Sequence, residues 1–151
     1  MSEDLFLSGR VIRRSLPEFT GSPPTDAPRL RRLHLDRGDL AQIHDSDEGM
    51  RYIAWLELRS GRIRGNHYHT RKHEILYLAT GGLELVVGDI VTGERAVVRL
   101  RVGDWVSIEP GVAHAVRVLE PGQAIEFSPQ PFDPSDIVRF LVAEQDEGRG
   151  E

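Results

Sequence analysis

The stretch Gly61-Arg62-Ile63-Arg64-Gly65-Asn66-His67-Tyr68-His69-Thr70-Arg71-Lys72-His73-Glu74-Ile75-Leu76-Tyr77-Leu78-Ala79-Thr80-Gly81 carries the densest chemical signal in the chain. In extended backbone, side chains two apart share a face and lie roughly 7 Å apart. His67 and His69 then project together, with Tyr68 on the other face. Glu74 follows a spacer long enough to turn and return alongside them. The run Ile75-Leu76-Tyr77-Leu78 is apolar on both faces, as expected of a strand between two layers, and it stops at Gly81-Gly82. His114 begins another such run just after Pro110-Gly111. Imidazole nitrogen and carboxylate oxygen together suit zinc, iron, nickel, manganese or copper, with positions left open for water or substrate. A competing local geometry puts His69 and His73 on one helical face at i, i+4. The strand character beginning at Ile75 argues against it.

Outward from this stretch, short β-like runs alternate with turn residues. Tyr52-Ile53-Ala54-Trp55-Leu56-Glu57-Leu58 places Tyr52, Ala54, Leu56 and Leu58 on one face. Leu83 to Val87, Ala96 to Leu100, Trp105 to Ile108, Ala115 to Leu119 and Ala124 to Phe127 follow, separated by Gly88-Asp89, Thr92-Gly93, Gly103-Asp104, Pro110-Gly111 and Pro121-Gly122. Strands recurring every 8 to 12 residues or so indicate an all-β sandwich or barrel. No long amphipathic helix is visible, although residues 135 to 143 allow one short C-terminal helix with Ser135 as its N-cap. Trp55 and Trp105 read as packing residues, and Tyr77 as core or interface.

With 151 residues the chain fits one domain with a sizeable core. Its 24 acidic and 19 basic residues leave a net charge of -5, which gives no general attraction to nucleic acid or an anionic membrane. Cysteine is absent, so disulfides, thiolate chemistry and Cys-ligated zinc are excluded. No apolar run approaches the roughly 20 residues that span a bilayer. The start, Met1-Ser2-Glu3-Asp4, lacks the basic-then-apolar order of a secretory signal. A cytoplasmic soluble protein is expected.

Residues 1–28 read as an N-terminal arm, 29–142 as the barrel and 143–151 as a frayed polar tail. The arm holds an apolar patch (Leu5, Phe6, Leu7, Val11, Ile12) followed by Pro17, Pro23, Pro24 and Pro28. Proline lacks a donor and fixes φ, so this part is expected to be extended and irregular. It is either a flexible leader or a strand-like arm packed on its own barrel or on a partner.

The spacing around the histidines resembles the cupin superfamily. That family's first motif runs glycine, five residues, His-x-His, three or four residues, glutamate, six residues, glycine. Gly61, His67, His69, Glu74 and Gly81 meet every position. Gly103, Gly111 and His114 match the second motif. Glu109 replaces its proline, with Pro110 adjacent, and Val118 replaces its asparagine. The resemblance covers about residues 35 to 135. It implies a jelly-roll barrel (a double-stranded β-helix) and His67, His69, Glu74 and His114 as ligands of one divalent transition metal: zinc, iron, nickel or manganese, with zinc favoured.

A narrower resemblance rests on Asp36-Arg37-Gly38-Asp39-Leu40, on Arg64 to His69 and on Pro131-Phe132-Asp133-Pro134. These segments look like cupins of nucleotide-sugar metabolism, among them the zinc cupin of capsular-polysaccharide reductases and the dTDP-sugar ketoisomerases. The resemblance implies epimerase or isomerase chemistry next to the carbonyl of a 4-keto sugar. Two departures qualify it: many such ketoisomerases lack a full metal set, and the capsular enzymes carry a reductase domain. Other classes on the same scaffold are an iron-dependent dioxygenase, a polyketide cyclase and a non-enzymatic sugar or metabolite binder.

Further candidates follow from charge and position. Glu126 and His73 are candidate bases. Glu126 either points inward near the metal or outward as a surface charge, and His73 faces away from Glu74 if the strand has begun. Arg64 and Lys72 flank the ligand run and are candidate substrate-binding groups for phosphate or carboxylate. The expected partners are a small-molecule ligand and a second copy in a homodimer, through exposed strand edges and the apolar arm. Neither nucleic acid nor membrane is expected.

Overall fold

The computed structural model describes residues 2–144. The positions most of the expected tail occupies, 145–151, lie outside the described residues. Twelve strands and one 3-10 turn make up the described chain. The large sheet contains β1 (Ser2–Phe6), β2 (Val11–Ser15), β6 (Tyr52–Leu58), β7 (Ile63–Tyr68), β8 (Glu74–Asp89), β9 (Arg95–Leu100), β10 (Asp104–Ile108), β11 (Val112–Ser128) and β12 (Val138–Arg139). Its path runs β1-β2-β10-β8-β11-β7-β12, with β6 on β11 and β9 on β8. All of these pairings are antiparallel. A small sheet joins β3 (Glu18–Thr20), β4 (Arg31–Leu35) and β5 (Gly38–Gln42). The result is the expected all-β jelly-roll.

The long strands β8 and β11 tie its two halves together. The sequence suggests breaks at Gly81-Gly82 and Pro121-Gly122, yet each strand runs through. The ladder continues from Glu120↔Gly82 to Gln123↔Thr80 with irregular register. These glycines bend the strands without ending them. A Cβ at Gly122 would lie 2.0 Å from the Thr80 carbonyl oxygen, and Gly81 has φ +92°, so the two backbones cross closer than any side chain permits.

Alternation along β8 explains its two apolar faces. Leu76, Leu78, Leu83, Leu85 and Val87 point inward with Leu58, Val98, Leu100, Val106 and Val118. Ile75 and Tyr77 point outward under Leu16, Leu30, Ile43 and Met50, with Trp105 and Phe127. On the opposite flank Val142 and Ala143 cover Val86, Ala113 and Ala115.

The N-terminal arm is strand-like and packs on its own barrel: β2 pairs with β10 from Asp104↔Ser15 to Ile108↔Val11, and Val11 is fully buried. Two expectations need correction. No helix forms over 135–143. A single 3-10 turn, Pro134–Asp136, is capped by Asp133, whose carboxylate accepts from the Ser135 amide, and β12 follows at once. Pairing with β7 through Val138↔Tyr68 satisfies the backbone in place of helical bonds. Trp105 is buried, but Trp55 is 61% exposed, because it occupies the outward position of β6.

Candidate metal centre

The site begins with an irregularity. Across β7 and β11, His114 pairs with His67 but Ala115 pairs with Gly65, so Asn66 is an extra residue in the ladder. Gly65 (φ +101°) and Asn66 (φ +59°) adopt the left-handed backbone that such a bulge uses. Asn66 is held there by its own amide, which accepts from Val142 N and Ala143 N at 3.0 Å each and donates to Ala143 O at 2.9 Å. The bulge re-aims the end of β7 and turns His67 toward His114.

Three imidazoles converge as a result. Ring centroids lie 4.9 Å apart for His67–His69, 4.9 Å for His67–His114 and 5.6 Å for His69–His114. One nitrogen of each lies within 4.8 Å of the others. Glu74 joins from the start of β8, with Oε2 at 2.7 Å from His114 Nε2 and Oε1 at 4.0 Å from His69 Nε2.

The remaining ring nitrogens settle which atoms face the centre. His69 Nδ1 lies 2.8 Å from the Asp136 carbonyl oxygen, and His114 Nδ1 lies 3.1 Å from that of Val112. A carbonyl only accepts, so each Nδ1 carries a proton, and Nε2 is the atom that faces the centre and, in the neutral ring, offers a lone pair. Both Nε2 atoms are buried: that of His69 has no hydrogen-bond partner, and that of His114 faces the Glu74 carboxylate at 2.7 Å. Buried orphan lone pairs are uncommon and need a cause. Nitrogen lone pairs aimed at a common point beside a carboxylate fit a divalent cation, and the donor set suits zinc, iron, nickel or manganese.

Electrostatics divide the ligand set. Burial opposes a charge on His114, but the adjacent Glu74 carboxylate overcomes it and raises its pKa, holding a proton that a metal at this position would displace. Burial, helped by the His114 and His69 charges, holds His67 down at about 4, so it is neutral at physiological pH, as a ligand must be. Burial likewise lowers His69. Burial opposes the Glu74 charge, but His114, the bond with Glu126 and Lys72 overcome it and keep the carboxyl well below its usual range.

Beside the histidines sits a buried ion pair. Lys72 Nζ lies 2.8 Å from Glu126 Oε1 and 3.4 Å from Glu74 Oε1, and 4.4 Å above the centre of the Tyr52 ring. Burial opposes its charge, but Glu74 and Glu126 raise its pKa. Burial first, and then the neighbouring Glu74, push Glu126 up to about 7. Histidines and ion pair share a cavity of about 290 Å³, otherwise walled by Leu56, Leu58, Leu76, Leu85, Ile108 and Val116.

Of the sequence candidates, His67, His69, Glu74, His114, Lys72 and Glu126 come together here, and Arg64 stands exposed at the cavity edge. His73 does not join them. It immediately precedes β8, which begins at Glu74, and lies in an outer pocket with Trp105, Met50 and Ile75. The sequence reading missed Asp136. Its buried carboxylate accepts from the Thr70 amide and hydroxyl and from the amides of Arg71 and Lys72. Only the run Asp133-Pro134-Ser135-Asp136 hinted at a capped turn there.

Residues 54–128 match the cupin domain family. No curated protein matches the chain significantly. Among solved structures, the chain is similar to a dTDP-4-dehydrorhamnose 3,5-epimerase from Sulfolobus tokodaii (18% identity, TM-score 0.68, covering 91% of this chain and 81% of that one). It is also similar to a TDP-quinovose 3,4-ketoisomerase from Campylobacter jejuni (14%, TM-score 0.65, covering 74% and 88%). A third is a 3,4-ketoisomerase mutant from Thermoanaerobacterium thermosaccharolyticum in complex with TDP-4-keto-6-deoxyglucose (15%, TM-score 0.63, covering 74% and 83%). At such identities the likeness speaks for the fold.

Proposed function

Given that the chain belongs to the cupin superfamily, we propose that it is a metal-dependent enzyme acting on a carbonyl-bearing metabolite, a 4-keto nucleotide sugar foremost, by epimerisation or isomerisation. The observation that carries this reading is one cavity holding both the three convergent imidazoles with Glu74 and the Lys72–Glu126 pair. A divalent cation held by His67, His69, Glu74 and His114, zinc foremost, supplies a Lewis acid for a carbonyl oxygen. Glu126 would take a proton from the carbon next to that carbonyl and return it on the same face to the former carbonyl carbon, which isomerises the sugar. Epimerisation would need a second acid on the opposite face. Lys72 holds the Glu126 carboxylate in place and supplies positive charge where oxyanion charge develops. The leucine, isoleucine and valine wall excludes water while the proton is in transit.

Similarity to sugar epimerases and ketoisomerases supports the substrate class without deciding it. The test is elemental analysis of the untagged protein, then incubation with dTDP-4-keto-6-deoxyglucose in deuterated water, followed by proton NMR. Deuterium entering next to the carbonyl supports the reading. A metal-loaded protein that leaves the substrate unlabelled and unconverted eliminates it, and oxygen uptake with bound iron would turn the assignment to a dioxygenase.

We place the protein as a homodimer through the β1 edge, where Leu5 is 62% exposed. Sedimentation as a monomer at micromolar concentration would remove that placement. Among the described residues no helix is long and apolar enough to cross a membrane.

A further inference from the structure

Arg64 and Leu56 line the metal cavity and also a second cleft, of about 250 Å³, next to it. This cleft opens where β6 and β7 part. Both strands pair with β11, β6 over Gly122–Ser128 and β7 over His114–Arg117, and between those ladders β11 bends. Trp55, Arg59, Arg62 and Arg64 form its walls, with Leu56 and Val118 beneath.

Its chemistry is unusual for a chain of net charge -5. Three guanidinium groups share one cleft with a single acid, Glu57. Among the described residues Glu57 pairs with Arg59, at 3.4 Å, with both side chains largely exposed, a geometry that contributes little. Among the described residues, the ion pairs include none for Arg62 or Arg64. Gathering like charges costs folding energy, and an indole 61% exposed beside them gains nothing from the core. Guanidinium forks match phosphate oxygens two at a time, and an exposed indole face stacks a nucleobase.

We propose that this cleft seats a nucleoside diphosphate: the pyrophosphate on Arg59, Arg62 and Arg64, the base against Trp55, and the attached sugar passing Leu56 into the metal cavity. The proposal rests on the functional reading above and adds where its substrate is gripped. Small-molecule sites usually run from about 300 to 1,000 Å³, and each space alone falls below that range. With Leu56 and Arg64 in the walls of both, the two spaces together suit a ligand in two parts, a reacting end among the histidines and an anionic, aromatic handle outside.

The test is a titration of the full chain, metal-free and zinc-loaded, with thymidine diphosphate, thymidine and inorganic pyrophosphate, read by tryptophan fluorescence. Thymidine diphosphate should quench the emission saturably, and pyrophosphate should compete without quenching. Trp55→Phe should abolish the response while the buried Trp105 remains. Arg62→Gln and Arg64→Gln should each weaken binding about tenfold, and added salt should weaken it further. Amide shifts on the unmutated protein should map to residues 55–64 and 118, a readout independent of any variant.

Absence of saturation below about 5 mM overturns the proposal. So do unchanged affinities in the Arg62 and Arg64 variants, or pyrophosphate binding as tightly as thymidine diphosphate. Binding here requires neither metal nor turnover. A protein that grips thymidine diphosphate but converts no keto sugar refutes the functional reading alone. One that turns over a nucleotide-free keto sugar equally well refutes the cleft alone.

Discussion

His69 and Asp136 are joined through two separate groups of Asp136: His69 Nδ1 donates to its carbonyl at 2.8 Å, and its carboxylate collects the amides of Thr70, Arg71 and Lys72. One residue thereby sets the ring plane of a ligand and the course of the loop that delivers Lys72 and Glu74. Burial opposes the carboxylate charge, but the Thr70 hydroxyl and the three amides overcome it and hold the pKa far below the usual carboxylate range. Asp136→Ala leaves these donors unpaired and should cost about 3 kcal/mol, with metal affinity down at least about tenfold. Asp136→Asn, which still accepts through one oxygen, should fall between. Melting curves with zinc titrations check this, and an alanine variant that binds zinc like the parent would sink the positioning role.

His67→Ala and His114→Ala each remove a converging nitrogen. Unmutated protein should carry one equivalent of metal, and each variant should bind it more than about a hundredfold more weakly. Full metal retention in both variants, measured by plasma mass spectrometry on folded protein, would end the metal assignment.

Lys72→Met withdraws the ammonium that restrains Glu126. Since Lys72 is what lowers the Glu126 pKa against burial and Glu74, its removal should carry Glu126 above about 7. Breaking the buried pair should also cost about 3 kcal/mol. Carbon-13 NMR of the carboxyl follows the titration directly, and a midpoint at or below the parent value contradicts the network.

In metal-free protein the lowered His67 and His69 oppose the raised Glu126 and His114. Folded His67 is held near 4 while an unfolded histidine titrates near 6.5, so stability falls as pH drops through that interval. Folded Glu126 is raised to about 7 from 4.5, so its contribution is complete below 4.5 and is lost as pH rises to 7. The parent should therefore show a shallow profile between pH 4.5 and 6.5. Glu126→Gln should lose stability steeply on acidification there, and His67→Gln should tilt the other way. Urea midpoints decide it: parallel profiles for all three proteins would refute the coupling.

Gly65→Ala tests the bulge. Its φ is +101° and an added Cβ would sit 2.7 Å from the His114 carbonyl oxygen, so β7 must retreat from β11 beside two ligands. A loss of about 3 kcal/mol together with weakened zinc binding is expected. Gly93→Ala, at φ +76° with open space around it, should cost only about 1 kcal/mol and leave zinc binding intact. Equal effects of the two substitutions would argue against a special role for the bulge.

Much of this site was legible in the chain because its signals are local. His-x-His in extended backbone, the spacing to Glu74 and the flanking glycines concern neighbouring residues, and their periodicity survives folding. Glu126 stayed ambiguous until β11 pairing fixed its face. Asp136 was illegible because its partners lie 64 to 67 residues away, and no local pattern announces a contact of that range. Trp55 misled for a simpler reason: hydrophobic bulk suggests packing, whereas strand parity put it outside. The short helix failed because pairing with β7 outcompeted local propensity in a segment only a few residues long.

The pairing of β2 with β10 also bears on how the molecule is made. Val11 meets Ile108, and Ser15 meets Asp104. A ribosome finishes the first strand of that pair long before it emits the second. The N-terminal segment must therefore wait, its apolar side chains uncovered, until most of the barrel has emerged. Closure of the sheet comes late in synthesis, so chains stalled before residue 104 should expose Leu7 and Val11 and be held by chaperones.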